Sequence, residues 1–389
     1  MVVSGIIFWY YSRYLPRLGQ MAGLPFLCTS MHTQVIIVGQ GLCGTWLSYW
    51  LWQAGVEHLV FQPPAVGGSS QVASGVINPV TGRRMSTTWM ADSLLPFARE
   101  AYTQMGSHLG QELIRQVQIL DFFYAPDRRL AFETLSQQGN PWLQWPLQEQ
   151  DMLPFINYGL GYGIISPAYC VQLQAMLLGW QAFLLQKGWL RTEAFDAGAL
   201  QLLQNGVAYH GITANQLLFA DGAAAAASGY FSLLPFALNK GEALIIEAPD
   251  LPPQYIYKKS NTIVPWQQPG QFWVGSTYQN QYAHAGPTPE FYHQTAQWLQ
   301  QTMAVPFKVV GHLAAIRPAT VERRPFVGMH PQYAQVGLLN GMGTKGVSMA
   351  PYFAKELVSH LLQGAPITPA AQVQRFARVL ARGPQGPGM

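Results

Sequence analysis

The sequence predicts an α/β fold that begins with a parallel β-α-β unit and continues with mixed helices and short strands. The unit consists of a β-branched strand at Gln34 to Val38, a helical pattern at Leu42 to Gln53 and a buried strand at Leu59 to Phe61. Composition supports a large folded core, because 49% of the 389 residues are hydrophobic and only 10% are charged.

Helices and strands are mixed along the rest of the chain. Periodicity predicts helices at 92–105, 128–136, 169–186, 289–303 and 346–362. Apolar runs predict strands at 117–124, 207–209, 216–220, 243–247 and 271–276. Alternating glycines and aromatic residues predict a strand pair at 158–165, and the segment rich in Trp, Pro and Gln at 142–154 is predicted to be a loop.

Charge and cysteine content exclude several kinds of protein. The net charge is +4 and the basic residues are scattered singly or in pairs, so there is no basic stripe of the kind that binds nucleic acid. The three cysteines, Cys28, Cys43 and Cys170, have neither the spacing of a zinc site nor that of a disulfide framework. We therefore expect a cytoplasmic protein with no metal, nucleic-acid or membrane partner, and an oligomer is compatible with this composition.

The first thirty residues are expected to be an extension outside the fold. The apolar run within Val2 to Tyr14 is about half as long as a membrane span requires. It also lacks the preceding basic residues and the cleavage pattern of a secretory signal. Because Met31 stands just before the first strand, a start-site artefact is favoured over a membrane anchor.

A glycine motif joins the first strand to the first helix. Its residues, Gly39-Gln40-Gly41-Leu42-Cys43-Gly44, follow a strand and open a helix. Gly39 suits a tight turn, Gly41 lets the backbone approach a pyrophosphate, and Gly44 lets the helix pack closely on the strand. The free N–H groups at the helix start favour anions. The motif predicts a Rossmann-like, dinucleotide-binding domain.

The end of the second strand departs from the usual dinucleotide pattern. An acidic side chain normally binds the adenosine ribose there, but this chain has Gln62. An amide can donate and accept a hydrogen bond, yet it lacks the charge that strengthens such a bond. This residue argues against NAD and leaves open a weaker affinity for a flavin dinucleotide.

The chain resembles the FAD-dependent oxidoreductases of the D-amino-acid oxidase and glycine oxidase type, in a less characterised bacterial branch. The resemblance extends from Met31 to about Leu362. It rests on blocks that occur in the family's order, namely Gly39 to Gly44, Ser69 to Pro79 (SSQVASGVINP), Lys240-Gly241-Glu242, Val274 to Thr277 (VGST), Ile316 to Thr320 (IRPAT), Pro325 to Gly328 (PFVG) and Asn340 to Gly346 (NGMGTKG).

The resemblance implies non-covalent FAD, because no cysteine follows Cys170 to form a C-terminal cysteinyl link. It places small residues along the flavin and a helix start near the N1 and C2 carbonyl of the reduced ring. Asp221 is alternatively a simple helix cap. The cofactor-binding residues implied are Gly39, Gly41, Leu42, Cys43, Gly44, Gln62, Ser69, Ser70, Ser74, Gly75, Asp221, Gly222, Gly343, Thr344, Lys345 and Gly346.

The resemblance also implies the reaction and the substrate-binding residues. Arg317 matches the arginine that binds the substrate carboxylate in glycine oxidases, and Arg317 and Lys345 are the candidate catalytic residues. Tyr162 and Tyr278 are candidate substrate contacts, with Tyr257 and Trp266 as further aromatic candidates. The implied reaction is hydride transfer from a small amine or amino acid to flavin N5, hydrolysis of the imine, and reoxidation by dioxygen.

Two other functions stay open. One is a flavin-dependent oxidase that modifies tRNA or serves a single pathway, although the sparse basic charge argues against tRNA. The other is a flavin-binding protein without oxidase turnover.

The predicted FAD-binding domain comprises residues 31–109, 166–239 and 308–365. The predicted substrate domain, a mostly antiparallel sheet with helices, comprises 110–165 and 240–307, and residues 366–389 are a predicted tail.

Overall fold

The computed structural model describes residues 31–64, 68–82, 84–227 and 229–383. The predicted N-terminal extension and the last six residues of the predicted tail lie outside these residues.

The described residues form strands and helices that we number in chain order. The strands are β1 (Met31–Val38), β2 (His58–Phe61), β3 (Val76–Ile77), β4 (Val80–Thr81), β5 (Ser86–Thr87), β6 (Ile114–Phe122), β7 (Leu143–Gln144), β8 (Tyr162–Val171), β9 (Leu190–Arg191), β10 (Gln201–Leu203), β11 (Gly206–Tyr209), β12 (Ile212–Phe219), β13 (Asn239–Glu247), β14 (Tyr255–Lys258), β15 (Thr262–Pro265), β16 (Gln271–Gly275), β17 (Lys308–Arg317), β18 (Phe326–Met329) and β19 (Val336–Asn340). The helices are α1 (Leu42–Gln53), α2 (Ser69–Val72), α3 (Ala91–Leu109), α4 (Pro126–Gln137), α5 (Leu173–Lys187), α6 (Pro289–Thr302), α7 (Gly346–Gln363) and α8 (Ala377–Leu380).

The first sheet has eight strands and contains the predicted β-α-β unit. Its order is β10-β11-β12-β1-β2-β9, and β19 pairs with β12 and with β18. Strand β1 lies between β2 and β12 and is parallel to both, and β19 is parallel to β12. Residues Ile36 and Ile37 of β1 are fully buried on opposite faces of the sheet, as expected for a parallel strand covered on both sides. The carboxyl ends of β1, β2, β12 and β19 therefore meet at one edge.

The second sheet has nine strands and is mostly antiparallel. Its order is β17-β13-β16-β15-β14-β6-β8-β3, with β7 paired to β8. Helix α6 packs against one face, where the core includes Leu244, Ile246 and Leu299. The opposite face carries a separate core that includes Ala243, Ile245 and Trp273. Side chains of β13 therefore alternate between the two faces, which is the ordinary period of a strand.

Three segments differ from the predicted organisation. Strand β17 pairs with β13 in the second sheet, whereas the predicted boundary assigned residues 308–317 to the FAD-binding domain. Residues 169–171, predicted to begin a helix, end β8, and α5 begins at Leu173. The part of the predicted tail up to residue 383 is packed rather than free, since Val373 and Leu380 are buried in the core of the first sheet. The division into two interleaved domains is retained as a proposal.

Among the residues that the structure describes, no helix combines the length and the hydrophobicity that crossing a membrane requires.

Candidate functional site

A cavity of about 720 Å³ lies where the carboxyl edge of the first sheet faces the second sheet. Such an edge is the usual ligand site of an open parallel sheet, and the volume is in the range of about 300–1,000 Å³ typical of ligand sites. Predicted site residues that line it are Gly39, Gly41, Leu42, Cys43, Gln62, Ser69, Ser70, Ser74, Gly75, Asp221, Gly222, Arg317, Gly343, Thr344 and Gly346.

The glycine motif turns sharply from β1 into α1. Gly39 has φ +99°, and a Cβ there would lie 2.7 Å from the carbonyl oxygen of Ala220. A Cβ on Gly44 would overlap the carbonyl oxygen of Gly39, so Gly44 acts by close packing and does not itself line the cavity. Gly41 does line it, and the N–H of Leu42 donates to Oγ of Ser70 at 3.0 Å. Gly39 thus makes the tight turn and Gly44 the close helix–strand contact that the motif predicts, whereas the predicted role of Gly41 toward a pyrophosphate stays a prediction.

Gln62 lies beside the motif at the end of β2. Its Oε1 accepts a hydrogen bond from the backbone N–H of Gln40 at 2.6 Å, and its Nε2 donates to the Pro63 carbonyl at 3.3 Å. The side chain is 6% exposed and lines the cavity. Gln62 therefore braces the glycine turn as well as facing the cavity, and it adds no charge.

The segment Ser69–Gly75 connects the two sheets. Nε1 of Trp273, on β16, donates to the Val72 carbonyl at 2.9 Å. Gly75 has φ +78°, and a Cβ there would overlap the Val171 carbonyl of β8. Glycine is therefore required at position 75 both by its backbone conformation and by the closeness of β8. This connection holds small residues along the cavity wall.

Two further turns complete the carboxyl edge. After β12, Asp221 and Gly222 are tied to β19 by Asn340, whose Nδ2 donates to the Gly222 carbonyl at 2.9 Å and to Oδ1 of Asp221 at 3.4 Å. After β19, Gly343 has φ +53° and leads into α7. Asn340 was not singled out by sequence reasoning, although it begins the quoted block Asn340 to Gly346.

Lys345 precedes α7 and does not line the cavity itself. Its Nζ donates to Oγ1 of Thr88 at 3.3 Å, and burial lowers the pKa of this ammonium to about 8, with Lys258 lowering it further. No ion pair joins Lys345 to a carboxylate within the described part of the chain. Lys345 therefore holds a positive charge close to the start of α7 at neutral pH.

Arg317 ends β17 with its guanidinium at the cavity wall. Nη1 donates to Oδ1 of Asn239 at 2.8 Å and to the Thr277 carbonyl at 3.0 Å, and Nη2 donates to Oγ of Ser276 at 2.7 Å. The side chain also lies against Gly241, where any Cβ would overlap it. Burial lowers the pKa of Arg317, but a guanidinium stays protonated at neutral pH.

A separate polar network lies beneath the same strands, at the start of α6. The buried carboxylate of Glu242 accepts from Lys240 Nζ and His312 Nε2, each at 3.0 Å, and from the N–H and hydroxyl of Thr288 at 2.7 and 2.8 Å. Burial alone would raise the pKa of Glu242, but the bonds from Thr288 and Lys240 outweigh it and the pKa is lowered. Glu242 is therefore ionised and fully engaged.

The predicted aromatic contacts lie elsewhere. Tyr162 is 2% exposed in the core under α6, where its hydroxyl donates to Asp151, so the structure does not bring it to the cavity. Tyr257 belongs to the same core, and Trp266 packs on the opposite core away from the main cavity. Tyr278 is 56% exposed, next to Thr277, and is absent from the cavity wall. Strand alternation explains Tyr162: it points away from the face that carries Arg317.

Sequence reasoning missed the individual residues that hold Arg317. Asn239, Gly241, Ser276 and Thr277 lie on or just after β13 and β16, the strands that follow β17 in the sheet. Three of the four stand inside the quoted blocks Lys240-Gly241-Glu242 and Val274 to Thr277. The blocks were the available signal, but only the strand pairing shows that they converge on Arg317.

The residues present fit FAD. The cavity runs from the glycine turn at the start of α1 to the wall formed by Trp273 and Arg317, and several glycines without side-chain bulk are among its lining residues. A pyrophosphate suits the start of α1, and a ring with a partial negative charge suits the start of α7. No cluster of metal ligands occurs among the residues that the structure describes.

Comparisons with known proteins agree with this fit. The family model described as DAO, FAD dependent oxidoreductase, matches residues 34–360. The fold is similar to that of glycine oxidase from Geobacillus kaustophilus, with a TM-score of 0.70 and 18% identity over 87% of this chain and 96% of that one. It is also similar to iminodiacetate oxidase from Chelativorans sp. BNC1, with 0.69 and 17% over 92% and 100%. L-proline dehydrogenase from P. horikoshii gives 0.70 and 14% over 90% and 98%. At these identities the structural likeness concerns the fold alone.

Proposed function

We propose that this chain, which belongs to the DAO family of FAD-dependent oxidoreductases, oxidises the C–N bond of a small amine or amino acid bearing a carboxylate. That it is an FAD-dependent oxidoreductase follows from the family. The substrate class is the proposal. The observation that carries it is the guanidinium of Arg317 at the cavity wall, which has neutral hydrogen-bond partners and no carboxylate partner among the described residues.

The residues proposed to hold FAD are those of the carboxyl edge. Gly41 and Leu42 border the proposed pyrophosphate site at the start of α1, where the Leu42 N–H would exchange its bond to Ser70 Oγ for one to the phosphate. Gln62 offers the second N–H of its amide toward the ribose, and Gly343 to Gly346 place the start of α7 toward the ring. Cys43 is at the cavity, but burial raises the pKa of its thiol to about 12. A neutral thiol is a poor nucleophile, which supports non-covalent binding.

When bound, FAD supplies the acceptor for the hydride of the substrate's α-carbon, with dioxygen as the proposed final acceptor. The protein supplies position. Arg317 would bind the substrate carboxylate through the guanidinium N–H groups that its protein partners leave free, and this fixes the α-carbon and amine relative to the cavity. Water then hydrolyses the resulting imine.

Lys345 is proposed to act electrostatically at the other wall. Its ammonium is held by Thr88 near the start of α7, outside the cavity lining, so its charge would add to the positive end of the α7 dipole at that end of the cavity. They would stabilise negative charge that develops there during the reaction. Tyr278 does not line the cavity, but it lies near enough to Arg317 to raise the pKa of that guanidinium, against the lowering caused by burial, and it stays a proposed substrate contact.

The names of the similar structures agree with a carboxylated amine. Glycine, iminodiacetate and L-proline, after which those enzymes are named, each carry a carboxylate next to an amine. We keep the cytoplasm as the proposed compartment, since Cys43 and Cys170 are free thiols.

An anaerobic titration tests the proposal. Purified protein loaded with FAD is mixed with glycine, sarcosine, L- and D-proline and iminodiacetate, and with methylamine and pyrrolidine as amines that lack a carboxylate, and the flavin absorbance is followed. We expect at least one carboxylated amine to bleach the flavin, and admission of air to restore the colour with release of hydrogen peroxide. Bleaching only by amines that lack a carboxylate would contradict the proposed role of Arg317. A protein that takes up FAD but is bleached by no amine would contradict the proposed reaction.

A further inference from the structure

The environment of Arg317 is unusual for a largely buried cation. All three of its protein partners, Asn239 Oδ1, the Thr277 carbonyl and Ser276 Oγ, are neutral oxygens. Within the residues that the structure describes, no ion pair includes Arg317. A buried charge without a counter-ion costs free energy. The fold bears this cost, and the positive charge of Arg317 stays available to a ligand at the cavity wall.

Asn239 is the partner whose neutral side chain leaves the charge of Arg317 uncompensated. It lies directly opposite Arg317 in the pairing of β13 with β17, and it is 0% exposed. Its orientation is unambiguous, because a guanidinium can only donate and therefore requires the amide oxygen. The amide nitrogen turns the other way and donates to Oδ1 of Asn280 at 3.2 Å. An aspartate of the same shape would place a carboxylate on Nη1.

The nearest acidic side chain on β13 cannot take that role. Glu242 lies three residues beyond Asn239, so it points to the opposite face of the sheet, under α6. Its two oxygens are already occupied by Lys240, His312 and Thr288. Lys240 compensates its charge, and the charge of Arg317 stays uncompensated.

We propose that Asn239 is a specificity-determining residue, which fixes Arg317 through a neutral oxygen and so reserves its charge for one anionic group of the substrate. This inference rests on the proposed function, in which that group is a carboxylate. Asn239 acts through Arg317 and is thus a positioning residue. An acid at this position would turn the anion site into an internal ion pair and would favour neutral ligands.

The test compares Asn239→Asp with Asn280→Asp in the FAD-loaded protein. The second variant adds the same charge on the far side of Asn239, at an exposed position that does not contact Arg317. Binding of acetate and of benzoate is measured by the change in flavin absorbance and by calorimetry, with acetamide and benzamide as neutral probes. FAD content and thermal unfolding report whether each variant is folded.

We expect Asn239→Asp to weaken acetate and benzoate binding about 10- to 100-fold while the neutral probes bind as before or better. Asn280→Asp should change either affinity less than about threefold, since it is exposed to solvent. Asn239→Ser loses the hydrogen bond to Arg317 without adding charge, so its carboxylate affinity should lie between those of Asn239→Asp and Asn280→Asp. This order separates the effect of charge from that of position.

Two contrary results are distinguishable. Equal carboxylate binding by the wild-type protein and Asn239→Asp would overturn the role of Asn239 alone. A wild-type protein that binds neither carboxylate would overturn the carboxylate site of the proposed function together with this inference. If Asn239→Asp fails to fold, Asn239→Ser decides, because unchanged carboxylate binding in that variant also overturns the role.

Discussion

The guanidinium of Arg317 lies against the α-carbon of Gly241 on the neighbouring strand. The two residues share the face of β13 and β17 that borders the cavity, and a Cβ at position 241 would overlap Nη2 and Cζ of the arginine. The guanidinium of Arg317 therefore occupies the space that a side chain at position 241 would fill, and β13 supports it on that side.

Gly241→Ala should displace Arg317 without removing it. The added methyl group has no other space, so the guanidinium must leave at least one of its three partners. We expect carboxylate affinity to fall about tenfold or more, since a charged hydrogen bond is lost. The measurement is an acetate titration of the FAD-loaded variant. Gly159→Ala is the matched control, because Gly159 has nothing within 4 Å of its Cβ position, and it should leave the titration unchanged.

Arg317→Met should remove carboxylate recognition and spare the cofactor. Methionine retains much of the side-chain volume but cannot donate a hydrogen bond. For carboxylated amines we expect kcat/KM to fall about 100-fold or more, mainly through KM, with normal FAD content. Steady-state kinetics and the flavin absorbance of the purified variant check this. If KM for carboxylated amines stays at the wild-type value, Arg317 does not bind the substrate.

Gly41→Val should prevent FAD binding. A valine side chain at this position would meet Oγ of Ser70, 3.3 Å from the Cβ position, and would fill part of the cavity beside the start of α1. We expect FAD affinity to fall about 100-fold or more because the lost space faces the pyrophosphate. The ratio of flavin to protein absorbance measures it, and Gly159→Val serves as the control. Full flavin occupancy in Gly41→Val would place the pyrophosphate elsewhere.

His58 should make the stability of the protein fall in mild acid. It is 1% exposed, with Nδ1 bonded to the Val56 carbonyl and Nε2 to Oγ of Ser48, and burial lowers its pKa from 6.5 to about 4. Below pH 6.5 the unfolded chain binds a proton that the folded protein excludes, so stability decreases as the pH falls toward 4. The loss amounts to about 3 kcal/mol.

Urea unfolding of the wild-type protein and of His58→Gln, between about pH 7 and pH 4, isolates this effect from the carboxylates. The variant starts less stable, since it loses buried hydrogen bonds, but the gap should narrow in acid. His284→Gln, at an exposed position, should follow the wild-type curve. A gap that stays constant with pH would show that His58 does not titrate in this way.

Two parts of the proposed cofactor site, the glycine turn after β1 and the start of α7, were predictable because neighbouring residues in the sequence specify them. The predicted helix at Leu42 to Gln53 has the bounds of α1, and the separate roles of Gly39 and Gly44 agree with the packing around them. A glycine turn between a buried strand and a helix start needs only neighbouring residues to specify it. For the same reason the block Asn340 to Gly346 could be assigned to the start of α7.

The part of the site around Arg317, in the second sheet, depends on contacts between segments that are distant in sequence. Strands β14 and β15 are four residues each and β17 has a mixed burial pattern, so none of them was recognised from periodicity. The partners of Arg317 come from β13, about 80 positions away in sequence, and from the residues after β16, about 40 positions away. Tyr162 was misplaced because the face of a strand follows from its register, and that register is set by pairing with β6.

The strand order of the first sheet has a consequence for the protein's synthesis. β12 acquires its neighbour β19 only after residues 336–340 have left the ribosome, and the turn that closes the cavity follows them. At translation rates of about 5–20 residues per second, one edge of β12 stays open on the nascent chain for on the order of ten seconds. During that interval the edge is a site for wrong pairing and for chaperone binding. Several residues within 340–347 line the cavity, so the complete cavity exists only after they have been synthesised and β19 has paired with β12.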